Sequence, residues 1–172
     1  MYCSGADCVA LNFENEHAVL KKGDIRLKDV VGLYAYMTGT ISVYEMTGAQ
    51  LRRYLEWVGE YYHTLKAGSH ELSFVKERRE YKYTTFFHGL GLCYDIDVTQ
   101  KPGNRIRNLC MINKDELKNP VYNPDGSLST SPIDDDTMIH FGTNPYYMRQ
   151  WTSKGGCFEG CSFKEIYSSK KL

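Results

Sequence analysis

Five histidines, 21 acidic residues and six cysteines are the groups of this 172-residue chain that could do acid–base, metal or nucleophilic chemistry. A self-sufficient catalytic centre needs a nucleophile beside a base, a pair of tuned carboxylates or a metal cluster. His17, His63, His70, His88 and His140 are scattered, and none stands in a Gly-x-Ser-x-Gly or His-Glu-x-x-His context. Asp134-Asp135-Asp136 could attract a cation, but such a run reads first as a solvated loop. Asp95 and Asp97 fall on one face of an expected strand and could meet a ligand hydroxyl. The solvent side of an antiparallel strand is the plainer reading for both. Cys3, Cys8, Cys93, Cys110, Cys157 and Cys161 are irregularly spaced, with no Cys-x-x-Cys. Free thiols are therefore expected, with one or two disulfides as the alternative, Cys157 and Cys161 as the favoured local pair, and zinc disfavoured.

Binding chemistry is better represented. The 14 tyrosines offer rings with an apolar face and a polar tip, which suits a wet binding surface. The balance of 21 basic and 21 acidic residues gives no net charge. That argues against a nucleic acid polymer or an anionic membrane surface as partner, since both reward a basic excess. A small anionic ligand needs only local charges and stays open. No apolar run approaches the ~20 residues of a membrane span. Met1 leads directly into polar and small residues, so no signal peptide is read here; an exported parent would carry it upstream or have lost it.

The elements that must position such residues fit one domain over residues 1–172. Residues 1–22 read as an irregular or strand-containing lead-in, and Leu27 to Tyr34 as a short helix. Thr40 to Met46 alternates as a strand. Thr47-Gly48-Ala49-Gln50 has the form of a capping box. It opens a helix whose apolar stripe is Leu51, Tyr54, Leu55, Val58, Tyr61 and Tyr62, with Arg52, Arg53, Glu56 and Glu60 facing solvent. Glu71 to Val75 is a weak strand candidate, and residues 76–80 are a charged, solvated run. Leu92 to Val98 and Arg105 to Ile112, joined by a turn at Lys101-Pro102-Gly103-Asn104, are expected to pair antiparallel. Residues 113–136 read as a long excursion, Thr137 to Gly142 as a buried strand ended by Asn144-Pro145, and Phe163 to Tyr167 as the last strand. Interspersed elements without regular βα units predict an α+β fold, a mixed sheet with packed helices.

Several segments, in order, carry a resemblance. They are Gly23-Asp24-Ile25-Arg26-Leu27-Lys28-Asp29-Val30; Thr40 to Leu51 with Thr47-Gly48-Ala49-Gln50-Leu51 and Leu55-Glu56; Tyr94-Asp95-Ile96-Asp97 with Pro102-Gly103-Asn104-Arg105-Ile106; and Asn144 to Phe158. Each is weak alone, but their order and spacing resemble the C-terminal domain of the 5′-nucleotidase family. The nearest branch is the bifunctional 2′,3′-cyclic-nucleotide 2′-phosphodiesterase/3′-nucleotidases. The resemblance implies a nucleoside- or nucleotide-binding domain that stacks the base between two aromatic rings. Tyr36 and Tyr146 match those positions; Asn144 and Tyr147 flank the second, and Gly155 and Gly156 match the glycine stretch that follows.

It also implies a partner, an N-terminal metallophosphoesterase domain of the same protein holding two divalent metal ions. Its Asp-x-His, Asn-His-Glu and Gly-His-x-His signatures do not occur in these 172 residues. No cofactor and no catalytic or metal-ligating residue is therefore expected in this chain, which by itself should be inactive. The parent is expected to be periplasmic, extracellular or at the cell surface. Lys154-Gly155-Gly156-Cys157-Phe158 lacks the family's ribose-holding Asp. The stretch Cys3 to Cys8 lacks its Asn and Arg, leaving Ser4 and Asp7 as candidates by position. The alternative is a non-catalytic surface interaction module that keeps the fold without binding nucleotides; a glycan-binding module is a third reading resting only on the tyrosines.

Overall fold

A computed structural model describes residues 4–11, 19–33, 39–66, 68–75 and 88–169. Strands β1 (Cys8–Leu11), β2 (Ser42–Thr47), β3 (His88–Leu90), β7 (Met138–Thr143) and β8 (Lys164–Ser168) form one sheet in the order β3-β1-β7-β2-β8. Within it β1 and β7 run parallel and the other pairs antiparallel. Strands β4 (Leu92–Ile96), β5 (Ile106–Ile112) and β6 (Thr130–Pro132) make a second, antiparallel sheet. The helices are α1 (Leu27–Leu33), α2 (Gly48–Gly59) and α3 (Pro145–Thr152). Mixed sheets with packed helices are the α+β arrangement the sequence implied.

Alternation along the strands divides the buried residues. Tyr44 and Met46 of β2, Cys8 and Ala10 of β1, and Ile139 and Phe141 of β7 share the main core with α2 and α3. Val43 and Val9 turn to the other face, where a smaller cluster forms with Ala6 and Tyr167. The capping box at the start of α2 is present: the Gln50 N–H donates to Thr47 Oγ1 at 3.3 Å and the Thr47 N–H to Gln50 Oε1 at 2.8 Å. Leu51, Tyr54, Leu55 and Val58 are buried as the stripe predicts, each side chain worth about 1.5–3 kcal/mol when fully withdrawn from water.

Two expectations for this helix need correction. It ends at Gly59, so Tyr61 and Tyr62 lie beyond it, half-buried against Phe74. Glu56, assigned to the solvent side by its charge, is buried, and its carboxylate accepts the backbone N–H groups of Arg105 and Ile106 at 2.7–2.9 Å. The 71–75 segment contributes only an isolated bridge between Tyr62 and Phe74. The β4–β5 pair is as expected but shorter, omitting Asp97, Val98 and Arg105. Helix α3, immediately after β7, was not anticipated. The charged run 76–80 lies outside the described residues.

Tyr54 is the centre of the core. It is fully buried among Phe141, Trp151 and Phe158, with ring centroids at 5.5, 4.8 and 6.2 Å. Burial pushes its phenol well above the usual range, reinforced by nearby Cys157, Tyr94 and Cys8. Among the described residues its hydroxyl meets no hydrogen-bond partner. An unpaired buried hydroxyl costs about 1–3 kcal/mol, so Tyr54→Phe, which keeps the ring, is expected to raise the melting temperature by about 2–12 °C. Thermal unfolding followed by circular dichroism checks this, and a fall of similar size would mean that the hydroxyl is paired.

Candidate functional site

The sequence-predicted residues Asn144, Tyr146 and Tyr147 come together at the junction of β7 and α3. The sheet ends at Thr143, whose hydroxyl donates to the Ala10 carbonyl at 3.0 Å, both groups buried. Asn144 then caps α3: its side-chain oxygen accepts the Tyr146 N–H at 2.9 Å, and Pro145 occupies the first turn, where a missing N–H costs nothing. Asn144 is thus engaged in starting the helix.

Tyr146 and Tyr147 have different surroundings. Tyr146 is 49% exposed, an open ring at the helix start. Tyr147 is buried and meets it edge-on, at 5.4 Å and 75°. Tyr147 in turn stacks on Trp151 at 6.1 Å and 23°, and Trp151 packs on Tyr54. The exposed ring therefore sits at the end of an aromatic column rooted in the core. This restricts its motion and keeps one side available, which is what a stacking platform needs.

Gly155 and Gly156 are placed elsewhere. They lie past the C-terminal end of α3, separated from Tyr146 by roughly 9 Å of helical rise. Gly155 takes a left-handed φ of 83° and its N–H donates to the Glu159 carboxylate at 2.8 Å. At Gly156 a Cβ would lie 2.2 Å from the Trp151 carbonyl oxygen. Turn geometry and close backbone approach account for both glycines.

Tyr36 lies outside the described residues. The chain is described again from residue 39 and enters β2, where Ser42 pairs with Thr143, one residue before Asn144. Ser4 and Asp7 precede β1. The Asp7 carboxylate accepts the His140 N–H at 2.8 Å and stands 3.8 Å from His140 Nδ1. This level of β7 is roughly 13 Å of strand from Asn144, so Asp7 ties β1 to β7 and does not flank the aromatic site.

The other sequence candidates have local partners. Asp97 accepts from the Thr99 hydroxyl at 2.6 Å and the Thr99 N–H at 3.0 Å, and these bonds hold its carboxyl below the usual range. Asp95 accepts from Asn108 at 2.6 Å. In the Asp134–Asp136 run, the Asp135 carbonyl accepts the Ala49 N–H, and its carboxylate stands 3.6 Å from Arg52. Among the described residues no three His, Cys, Asp or Glu side chains converge on a site that could hold a metal ion. Nor is any described helix long and apolar enough to cross a membrane.

Sequence reasoning placed Arg105 at the start of a strand and within a family motif but gave its side chain no role. It is fully buried, and its guanidinium donates to the carbonyls of Gly59 (2.6 Å), Tyr62 (2.7 Å) and Gln100 (3.0 Å) and to Thr64 Oγ1 (2.9 Å). The motif Pro102-Gly103-Asn104-Arg105-Ile106 is therefore a structural lock that closes the C-terminal end of α2 onto β5.

The family model for the 5′-nucleotidase C-terminal domain matches residues 1–151. The chain belongs to that family. Among solved structures it is similar to a proposed 5′-nucleotidase of Staphylococcus aureus in complex with alpha-ketoglutarate, with a TM-score of 0.62 and 19% identity over 94% of this chain and 28% of that one. It is also similar to a 5′-nucleotidase precursor of Thermus thermophilus (TM-score 0.56, 15% identity, 94% and 26% coverage). A third likeness is to the NAD nucleotidase of Haemophilus influenzae (TM-score 0.54, 18% identity, 94% and 24% coverage). At these identities the likeness is one of fold. The chain spans about a quarter of the length of each of these proteins. No curated protein sequence matches it.

Proposed function

We propose that this 5′-nucleotidase C-terminal domain is the substrate-holding part of an exported phosphoester hydrolase, and that Tyr36 and Tyr146 clamp a nucleobase. The observation that carries the reading is the open Tyr146 ring, fixed by the Asn144 cap below and the Tyr147–Trp151 column behind. Family membership supports a nucleotide as the ligand. The phosphoester of a clamped nucleotide would project away from the rings toward a separate dimetal domain, which supplies the hydrolytic chemistry. Tyrosine at both stacking positions favours the cyclic-nucleotide phosphodiesterase branch.

Calorimetric titration with adenosine and 3′-AMP tests the reading. Base–aromatic stacking is worth about 1–3 kcal/mol per base, so Tyr36→Ala and Tyr146→Ala are each expected to weaken binding roughly ten- to a hundredfold. Because Tyr146 is half exposed, its substitution should change stability by no more than about 0.5 kcal/mol, which separates lost contact from lost fold. Binding that survives both substitutions would end the clamp. Absence of nucleoside binding by this chain, and by a longer form carrying a dimetal domain, would favour the interaction module.

A further inference from the structure

Strands β4 and β5 set two thiols opposite one another. Cys93 pairs directly with Cys110, beside the pair Leu92 and Met111. Successive strand residues point to opposite faces. Leu92 lies in the main core and Met111 packs against it, so Cys93 and Cys110 turn together to the other face of the second sheet. Both are half-buried, and both are free. Directly opposed residues of an antiparallel pair have Cα atoms about 4.5–5.5 Å apart, within the roughly 4.4–6.8 Å that a disulfide spans.

The other described cysteines are placed differently. Cys8 and Cys157 are buried on the core side. Desolvation, aided by Asp7, pushes the Cys8 thiol up to about 12, which leaves it little thiolate at neutral pH. Cys161 lies in the loop before β8, with Arg53 Nη1 at 3.8 Å from its sulfur. No disulfide joins Cys157 to Cys161, so the local pair favoured by their spacing is not formed.

We propose that Cys93 and Cys110 form a redox-modification site that closes into a cross-strand disulfide by exchange with an external disulfide of the oxidised-glutathione class. One cysteine thiolate attacks a sulfur of that disulfide, giving a mixed disulfide and releasing one external thiol. The second thiolate attacks the protein sulfur of the mixed disulfide, forming the Cys93–Cys110 bond and releasing the second external thiol. Two protein thiols lose two protons and two electrons, and the external disulfide takes up both electrons. The bond would pin the β4–β5 pair, which carries the Arg105 lock at its turn. It closes in an oxidising compartment and stays open where thiols are kept reduced.

The test is incubation of the folded, reduced chain with oxidised glutathione, followed by alkylation of the remaining thiols and peptide mass spectrometry without reduction. The expected product joins the peptides of Cys93 and Cys110 with loss of two hydrogen masses. In Cys93→Ser the exchange stops at the mixed disulfide. Glutathione on Cys110 should then exceed the wild-type level by about tenfold or more, because the neighbouring thiol no longer displaces it at high effective concentration. Cys110→Ser should give the reciprocal result on Cys93. Circular dichroism of the reduced variants confirms folding, with alanine variants used if serine disturbs it. Equal glutathione retention in wild type and single variants would overturn the proposal. So would cross-links of Cys93 or Cys110 mainly to other cysteines, or absence of reaction at both positions.

Discussion

Arg105→Ala is expected to remove roughly 3–5 kcal/mol of stability, the scale of two charge-assisted hydrogen bonds lost together with their effect on the acceptors left behind. The side chain is fully buried and meets four acceptors from three segments: the end of α2 at Gly59, the stretch after it at Tyr62 and Thr64, and the β4–β5 turn at Gln100. Deleting it leaves three carbonyls and a hydroxyl without that donor. A domain of ordinary stability has about 5–15 kcal/mol in total, so the loss takes a large share. Lysine is a poor substitute, because one ammonium cannot present the planar fork that reaches separate acceptors. Arg105→Lys should therefore recover less than half of the loss. Urea unfolding at equilibrium measures both, and a cost below about 1 kcal/mol for the alanine variant would show that the four bonds are not made in solution.

The same contact explains why the sequence under-reported this region. Glu56 lies among charged helix positions, and helical periodicity alone sends it to solvent. Its carboxylate is buried because it receives two backbone N–H groups at the start of β5, 49 and 50 residues further along. No local pattern carries that information. The capping box of α2 was legible for the opposite reason, since both its bonds close within three residues. The β4–β5 pair was legible because alternation and a Pro-Gly-Asn turn are local too. The sheet order was not. It places β1 parallel to β7 across most of the chain, a pairing set by tertiary burial.

Helix α3 was hidden by its brevity. Eight residues give two turns, too few for a period to emerge, and Asn144-Pro145 reads equally as a strand stop or as a cap followed by proline at the first turn. The candidate site was legible only in part. Composition pointed to tyrosine, but choosing Tyr36 and Tyr146 from the 14 rested on the family resemblance. The resemblance chose Tyr146 over its neighbour Tyr147, but that the first is exposed and the second buried came only with the fold.

Gly156→Ala is expected to cost roughly 2–4 kcal/mol, combining overpacking with one strained or lost hydrogen bond. The added Cβ would meet the Trp151 oxygen at 2.2 Å, the Trp151 carbonyl carbon at 2.5 Å and the Gln150 oxygen at 2.6 Å. All three are backbone atoms of α3 and cannot rotate away. The loop must lift from the helix end, which strains the Phe158 N–H bond to the Trp151 carbonyl, 2.8 Å long. It also loosens Phe158, a fully buried residue beside Tyr54 and Trp151. The melting temperature should fall by about 5–15 °C. Gly155→Ala meets no atom within 4 Å and bears only the left-handed φ, costing about 1–2 kcal/mol. The ranking discriminates between roles. If the glycines serve the turn, Gly156→Ala is the more destabilising, and neither variant weakens nucleoside affinity while it remains folded. If they touch ligand, Gly155→Ala weakens binding well beyond its small effect on stability. Thermal unfolding and calorimetric titration of the two variants decide between an anchor for the aromatic column and a wall of the pocket.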